Sequence, residues 1–149
     1  MNQLTHYAPD DVQAVMEQLP QIRALRLTVV DMQRGSCLFR VEYAPHLVGN
    51  LESGVIHGGV ITTLLDSAGG AAAFSVAPLN STVATLDLRI DYLKKAEPGK
   101  SILGFAECYR QTPHILFVKG HAYHDQPEDP IAHFVASFMI GSTGPASDA

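Results

Sequence analysis

Hydrophobic positions change their period several times along the chain. Val12, Val15, Met16 and Leu19 recur at i, i+3, i+4 and i+7, laying one apolar stripe along a short helix with Asp10 and Asp11 in its first turn. Pro20 is expected to stop that helix. Ile22 to Met32 and Cys37 to Tyr43 are β-rich and flank the polar turn Gln33-Arg34-Gly35-Ser36, which predicts a hairpin; helix is an alternative for Ile22 to Leu27. From Ala44 to Gly59 the pattern breaks up under Pro45, Gly49, Asn50, Ser53, Gly54, Gly58 and Gly59, a loop suited to close backbone approaches.

Val60 opens a long helix whose Val60, Ile61, Leu64, Leu65, Ala68, Ala71, Ala72 and Val76 form a broad apolar surface before Pro78 ends it. The opposite stripe of Thr62, Asp66, Gly69, Gly70 and Ala73 is nearly all small. Each interior glycine sacrifices roughly 1 kcal/mol relative to alanine, so either something packs close to the backbone there or the helix kinks.

Strands are expected at Ser81 to Leu93, Ser101 to Arg110, Ile115 to Tyr123 and Ile131 to Ile140. Alternation is clearest from Thr85 to Tyr92, and strict alternation places Thr85 and Asp87 on one face. The fold class is therefore α+β, an antiparallel sheet of about six strands with one long helix across a face and a short N-terminal helix. Read literally, the turns make the last four strands a meander. At 149 residues the chain suits a single domain, 1–149, with residues 1–9 and 142–149 expected to fray.

The chain is 46% apolar and 17% charged with a net charge of −5, so its overall field gives no help in binding nucleic acid or an anionic membrane. No uninterrupted apolar run approaches the roughly 20 residues of a membrane span, and the N-terminal residues do not resemble a secretory signal. Cys37 and Cys108 fit neither a metal-ligand spacing nor a disulfide scaffold, so a reducing, cytoplasmic setting is expected. His121 and His124 would point to opposite faces of a strand, so no metal site is expected, and no cofactor motif is present.

Chemistry concentrates at Gly54-Val55-Ile56-His57-Gly58-Gly59, followed by Asp66. A helix starting near His57 or Gly58 directs unpaired amides outward, a site for an anion or a developing oxyanion. Asp66 is the single charge in an otherwise uncharged helix, a placement that suits a general base or a nucleophile. It equally fits a cap or a solvent-facing residue. His57 is read as ordering the loop by hydrogen bonding. Thr85 offers a hydroxyl to hold a water or to position Asp66. Arg89, Lys94, Lys95 and Arg110 lie in or beside strand ends, where they fit either ligand phosphates or a solvated charge cluster.

These motifs, Leu47-Val-Gly-Asn50, Gly54-Val-Ile-His57-Gly-Gly59, Leu64-Leu-Asp66 and Thr85-Leu-Asp-Leu-Arg-Ile-Asp-Tyr92, resemble the hotdog-fold acyl-CoA thioesterases, in particular their phenylacetic-acid-pathway-like branch. The resemblance runs from about Tyr43 to Ile140. It implies a sheet wrapped around the long helix, a homodimer with sites at the subunit boundary, often within a dimer of dimers, and hydrolysis of an acyl-CoA without cofactor or metal. It implies that Gly59 or Gly58 polarises the thioester carbonyl, that Asp66 is the acidic residue and that Thr85 replaces a strand serine. Many relatives carry Asn or Gln six positions before the histidine; here Leu51 stands there, and Asn50 would reach the site through a bulge in Leu51 to Ser53. Phe74, Phe105 and Phe117 are candidates for shaping an acyl pocket. A hotdog acyl-thioester hydratase or dehydratase, and a non-catalytic acyl-CoA binding module, are the alternative readings.

Overall fold

The computed structural model describes residues 8–142. They form α1 (Pro9–Met16), α2 (Pro20–Leu25), β1 (Thr28–Gln33), β2 (Ser36–Val41), β3 (Val48–Asn50), β4 (Val55–Ile56), α3 (Gly58–Val76), β5 (Ser81–Tyr92), β6 (Ile102–Gln111), β7 (Ile115–Tyr123) and β8 (Ala132–Ser142). The stretches expected to fray lie outside the described residues except at their inner ends, where Pro9 opens α1 and Ser142 closes β8.

Six strands make one antiparallel sheet in the order β1-β2-β6-β7-β8-β5, wrapped around α3. This is the hotdog architecture. The helix fills the concave side because its apolar surface is broad: Leu64, Leu65, Ala68 and Ala72 are fully buried against Phe39, Ile102, Leu116, Val118 and Phe138 of the sheet. By length and hydropathy α3 matches a membrane span, yet most of it is covered by the sheet. Small residues set how closely the layers approach. A Cβ on Gly104 would stand 2.7 Å from Leu64 Cγ, so that strand position must be empty for the helix to seat. A Cβ on Gly69 would meet Phe134 and Phe138 ring carbons at 3.3 Å, so close packing against the backbone accounts for this glycine in an unbroken helix.

Four expectations need correction. Pro20 does not merely stop α1; it sits at the first position of α2, where its missing N–H is not needed and its fixed φ suits a helix start. The final strands are not a four-stranded meander, because β5 crosses to the far edge and pairs with β8 while β6 pairs with β2. Within the Ala44 to Gly59 stretch, β3 and β4 form a small ladder that brings Gly49 against the His57 backbone, at a distance only glycine permits. Thr85 and Asp87 do not share a face. A bulge at Leu86 shifts the β5–β8 register between Thr85↔Phe138 and Asp87↔Ser137, so Thr85 faces α3 while Leu88 and Ile90 take the inward positions after it.

Candidate active site

His57 is the N-cap of α3, and its Nδ1 accepts a hydrogen bond from the Gly59 amide at 2.9 Å. Gly58, the first helical residue, keeps an amide with no acceptor among the described residues. The first turn is clamped from outside. Tyr92 Oη donates to the Gly58 carbonyl at 2.8 Å, and Thr62 Oγ1 donates to the same oxygen at 3.2 Å. A Cβ on Gly58 would stand 3.3 Å from Tyr92 Oη, so a side chain there would press on the clamp.

Two turns along the helix, half-buried Asp66 accepts a hydrogen bond from Thr85 Oγ1 at 2.8 Å on Oδ1. Its second oxygen has no donor among the described residues. Both side chains line a cavity of about 830 Å³ between the small side of α3 and the α1–α2 segment, with Phe74 on the same wall. Thr85 reaches Asp66 only because of the bulge at Leu86. Gly58 and Asp66 are eight residues apart, which at 1.5 Å per residue separates their backbones by about 12 Å along the axis. One carbonyl carbon cannot touch both groups of a single chain.

The remaining predicted site residues are not brought to this cavity. Asn50 Oδ1 accepts from the Glu52 and Ser53 amides at 3.0 and 3.1 Å, so its side chain closes its own turn. Lys94 and Lys95 line a separate cleft of about 330 Å³ beside Gly58 and Tyr92, with Lys94 also paired to Asp129. Arg89 is exposed and paired to Asp91 at 3.2 Å. Arg110 lies at the opposite end of the sheet from the lysines, in the pairing of β6 with β7 next to Phe117. Phe105 and Phe117 alternate with buried residues and lie on the outer face, against His121 and Tyr109. Among the described residues no His, Cys, Asp or Glu cluster has the geometry to hold a metal. Tyr92 was not singled out by its sequence context. Its inward position after the bulge is what gives it a role.

With this geometry, a comparison with known proteins is informative. The thioesterase superfamily model matches residues 53–131, just over half the chain, from the turn before His57 through β7 to the start of β8. The chain belongs to the thioesterase superfamily. It is 26% identical over 136 residues to the medium/long-chain acyl-CoA thioesterase YigI of Salmonella typhimurium, covering 83% of this chain and 86% of the relative. A crystal structure of a Pseudomonas aeruginosa protein superposes with a TM-score of 0.78 at 44% identity, covering 88% of this chain and 97% of that one. The Escherichia coli PaaI protein of the phenylacetic acid degradation operon shares the fold, with a TM-score of 0.76 at 18% identity, covering 91% of this chain and 92% of that one.

Proposed function

We propose that this protein hydrolyses acyl-CoA thioesters, with Asp66 activating the attacking water. The observation that carries this is the Thr85–Asp66 hydrogen bond on the wall of a large, mostly apolar cavity. One carboxylate oxygen is fixed by the hydroxyl and the other is free to take a proton. Water adds to the thioester carbonyl as one of its protons passes to Asp66; the tetrahedral intermediate then expels the sulfur as the C–S bond breaks, and Asp66 returns the proton to it, giving the carboxylic acid, CoA thiol and the regenerated carboxylate.

The developing oxyanion requires a donor, and the Gly58 amide is better suited than that of Gly59, which His57 already occupies. Because about 12 Å of helix separates Gly58 from Asp66, the amide acting on a given carbonyl comes from a second subunit. The edge strand β5 has its outer side open and bears Thr85, so pairing of two β5 strands would bring one chain's helix start toward the other's carboxylate. We therefore assign a homodimer with two boundary sites. In this reading Lys94 and Lys95, in the cleft beside Gly58, meet the CoA phosphates. The name of the YigI relative, 26% identical, supports an aliphatic acyl group.

The test is thiol release from butyryl-, decanoyl-, phenylacetyl- and benzoyl-CoA by the wild type and by Asp66→Asn. Wild-type release and a fall of about 10²–10⁴-fold in the variant, with unchanged circular dichroism, are expected. Wild-type turnover in the variant, or no release from any substrate, overturns the assignment.

A further inference from the structure

α1 carries an apolar stripe that the core covers only in part, through Val12 and Met16. None of its residues is buried; Val12 and Met16 are half-buried, while Val15 and, just beyond the helix, Leu19 are 63% and 49% exposed. A side chain tethers the helix to β1: Gln13 Nε2 donates to the Leu27 carbonyl at 3.1 Å and Gln13 Oε1 accepts from the Val29 amide at 2.7 Å. The space beneath the stripe is the same 830 Å³ cavity that holds Asp66 and Thr85. The segment providing this wall lies outside residues 53–131, the part matched by the family model.

From Asp66 to Phe74 the helix rises about 12 Å, close to the extended length of an alkyl chain of about ten carbons. The far end is apolar in effect, because the Ser75 hydroxyl donates to the Ala72 carbonyl and accepts from the Gly35 amide. An aryl group would fill only the part nearest Asp66. At Gly70 a Cβ would stand 3.7 Å from Phe138 Cε1, an ordinary contact, so a larger side chain there extends into the cavity without displacing the core.

We propose that the α1–α2 segment is the cover of the acyl site: its stripe and the Gly70–Phe74 face of α3 enclose a straight aliphatic chain of about ten carbons. Met16 and Gly70 set its length. The position of the thioester carbonyl rests on the hydrolase assignment above, whereas occupation of the slot by an alkyl chain does not.

The chain contains no tryptophan, so Val15→Trp supplies a single reporter at the rim of the cover. The probes are the non-hydrolysable decyl-CoA and ethyl-CoA thioethers and CoA itself. A saturable blue shift with decyl-CoA, absent with ethyl-CoA and CoA, is expected. Gly70→Leu should abolish the shift in the reporter background. On its own, it should lower the ratio of decanoyl- to butyryl-CoA turnover, as kcat/KM, by about tenfold or more. Thiol release from decanoyl-CoA with a silent reporter and an unchanged ratio overturns the cover while leaving the hydrolase intact. A saturable shift without thiol release from any substrate keeps the cover and removes the hydrolase. A shift that follows protein concentration alone means that a second copy fills the groove, and it overturns the cover.

Discussion

Replacing Thr85 by valine removes one hydroxyl and substitutes a methyl of nearly the same shape, so the strand and its bulge should persist. What is lost is the donor 2.8 Å from Asp66 Oδ1. A hydrogen bond to a charged acceptor contributes about 1.5–3 kcal/mol, and the lower end applies because both side chains line a cavity open to solvent. At about 1.4 kcal/mol per decade this predicts a fall in kcat of about tenfold. KM should change little, since the hydroxyl holds the carboxylate and not the acyl chain. Thr85→Ser keeps the donor and should stay within about threefold of wild type on the same scale. Thiol release under saturating acyl-CoA gives kcat, and a double-mutant cycle with Asp66→Asn asks whether the two residues act as one unit. Once the carboxylate is gone, Thr85→Val should cost nothing further. An unchanged kcat in Thr85→Val, or losses that multiply in the double variant, would refute the pairing as a catalytic device.

The two helical glycines should respond oppositely. Gly70→Ala is expected to raise stability by about 1 kcal/mol, because helix propensity improves and the new methyl meets only ordinary contact, whereas Gly69→Ala should lower it as overpacking of about 1–3 kcal/mol outweighs that gain; thermal unfolding compares them. The His121 imidazole is held below its ordinary value of 6.5, first by burial and then by His133, with Glu107 and Glu128 opposing. The unfolded chain then binds more protons just below that pH, so this contribution to stability is complete above about 6.5 and declines as pH falls toward the depressed folded value. The melting temperature of His121→Gln should accordingly be flatter than wild type between about pH 5 and 6.5. Burial and Asp31 push the Cys37 thiol far up, and burial also raises Cys108, so both should react slowly with a disulfide reagent until guanidinium is added, when two thiols per chain appear.

Much of the fold was legible because long elements carry long periods. The α3 stripe and the four strands after it stand within a few residues of their expected bounds, and Gly58 opens the helix where the Gly-Gly pair suggested. Strand order was not legible, since local turns do not record that β5 crosses the sheet to reach β8. The α2 helix was ambiguous because Pro20 both terminates and initiates, and six residues are too few to display a period. At the site, Asp66 stood out as a lone charge among small residues. Its pairing with Thr85, and the arrival of Tyr92 over Gly58, depend on a one-residue irregularity that the regular alternation from Thr85 to Tyr92 conceals.

That irregularity gives position 86 an unusual kind of importance. Leu86 is 52% exposed, so many side chains would be tolerated there, but the residue itself acts as a spacer of the main chain. Pairing Leu86 into the ladder would turn the preceding half over, carrying Thr85 to the solvent side and Thr82 and Ala84 inward, whereas deleting it would close the ladder evenly with Thr85 still opposite inward-facing Phe138. That position 86 stays out of the ladder therefore matters more than which side chain it carries, and a comparison that scored only substitutions would pass over it.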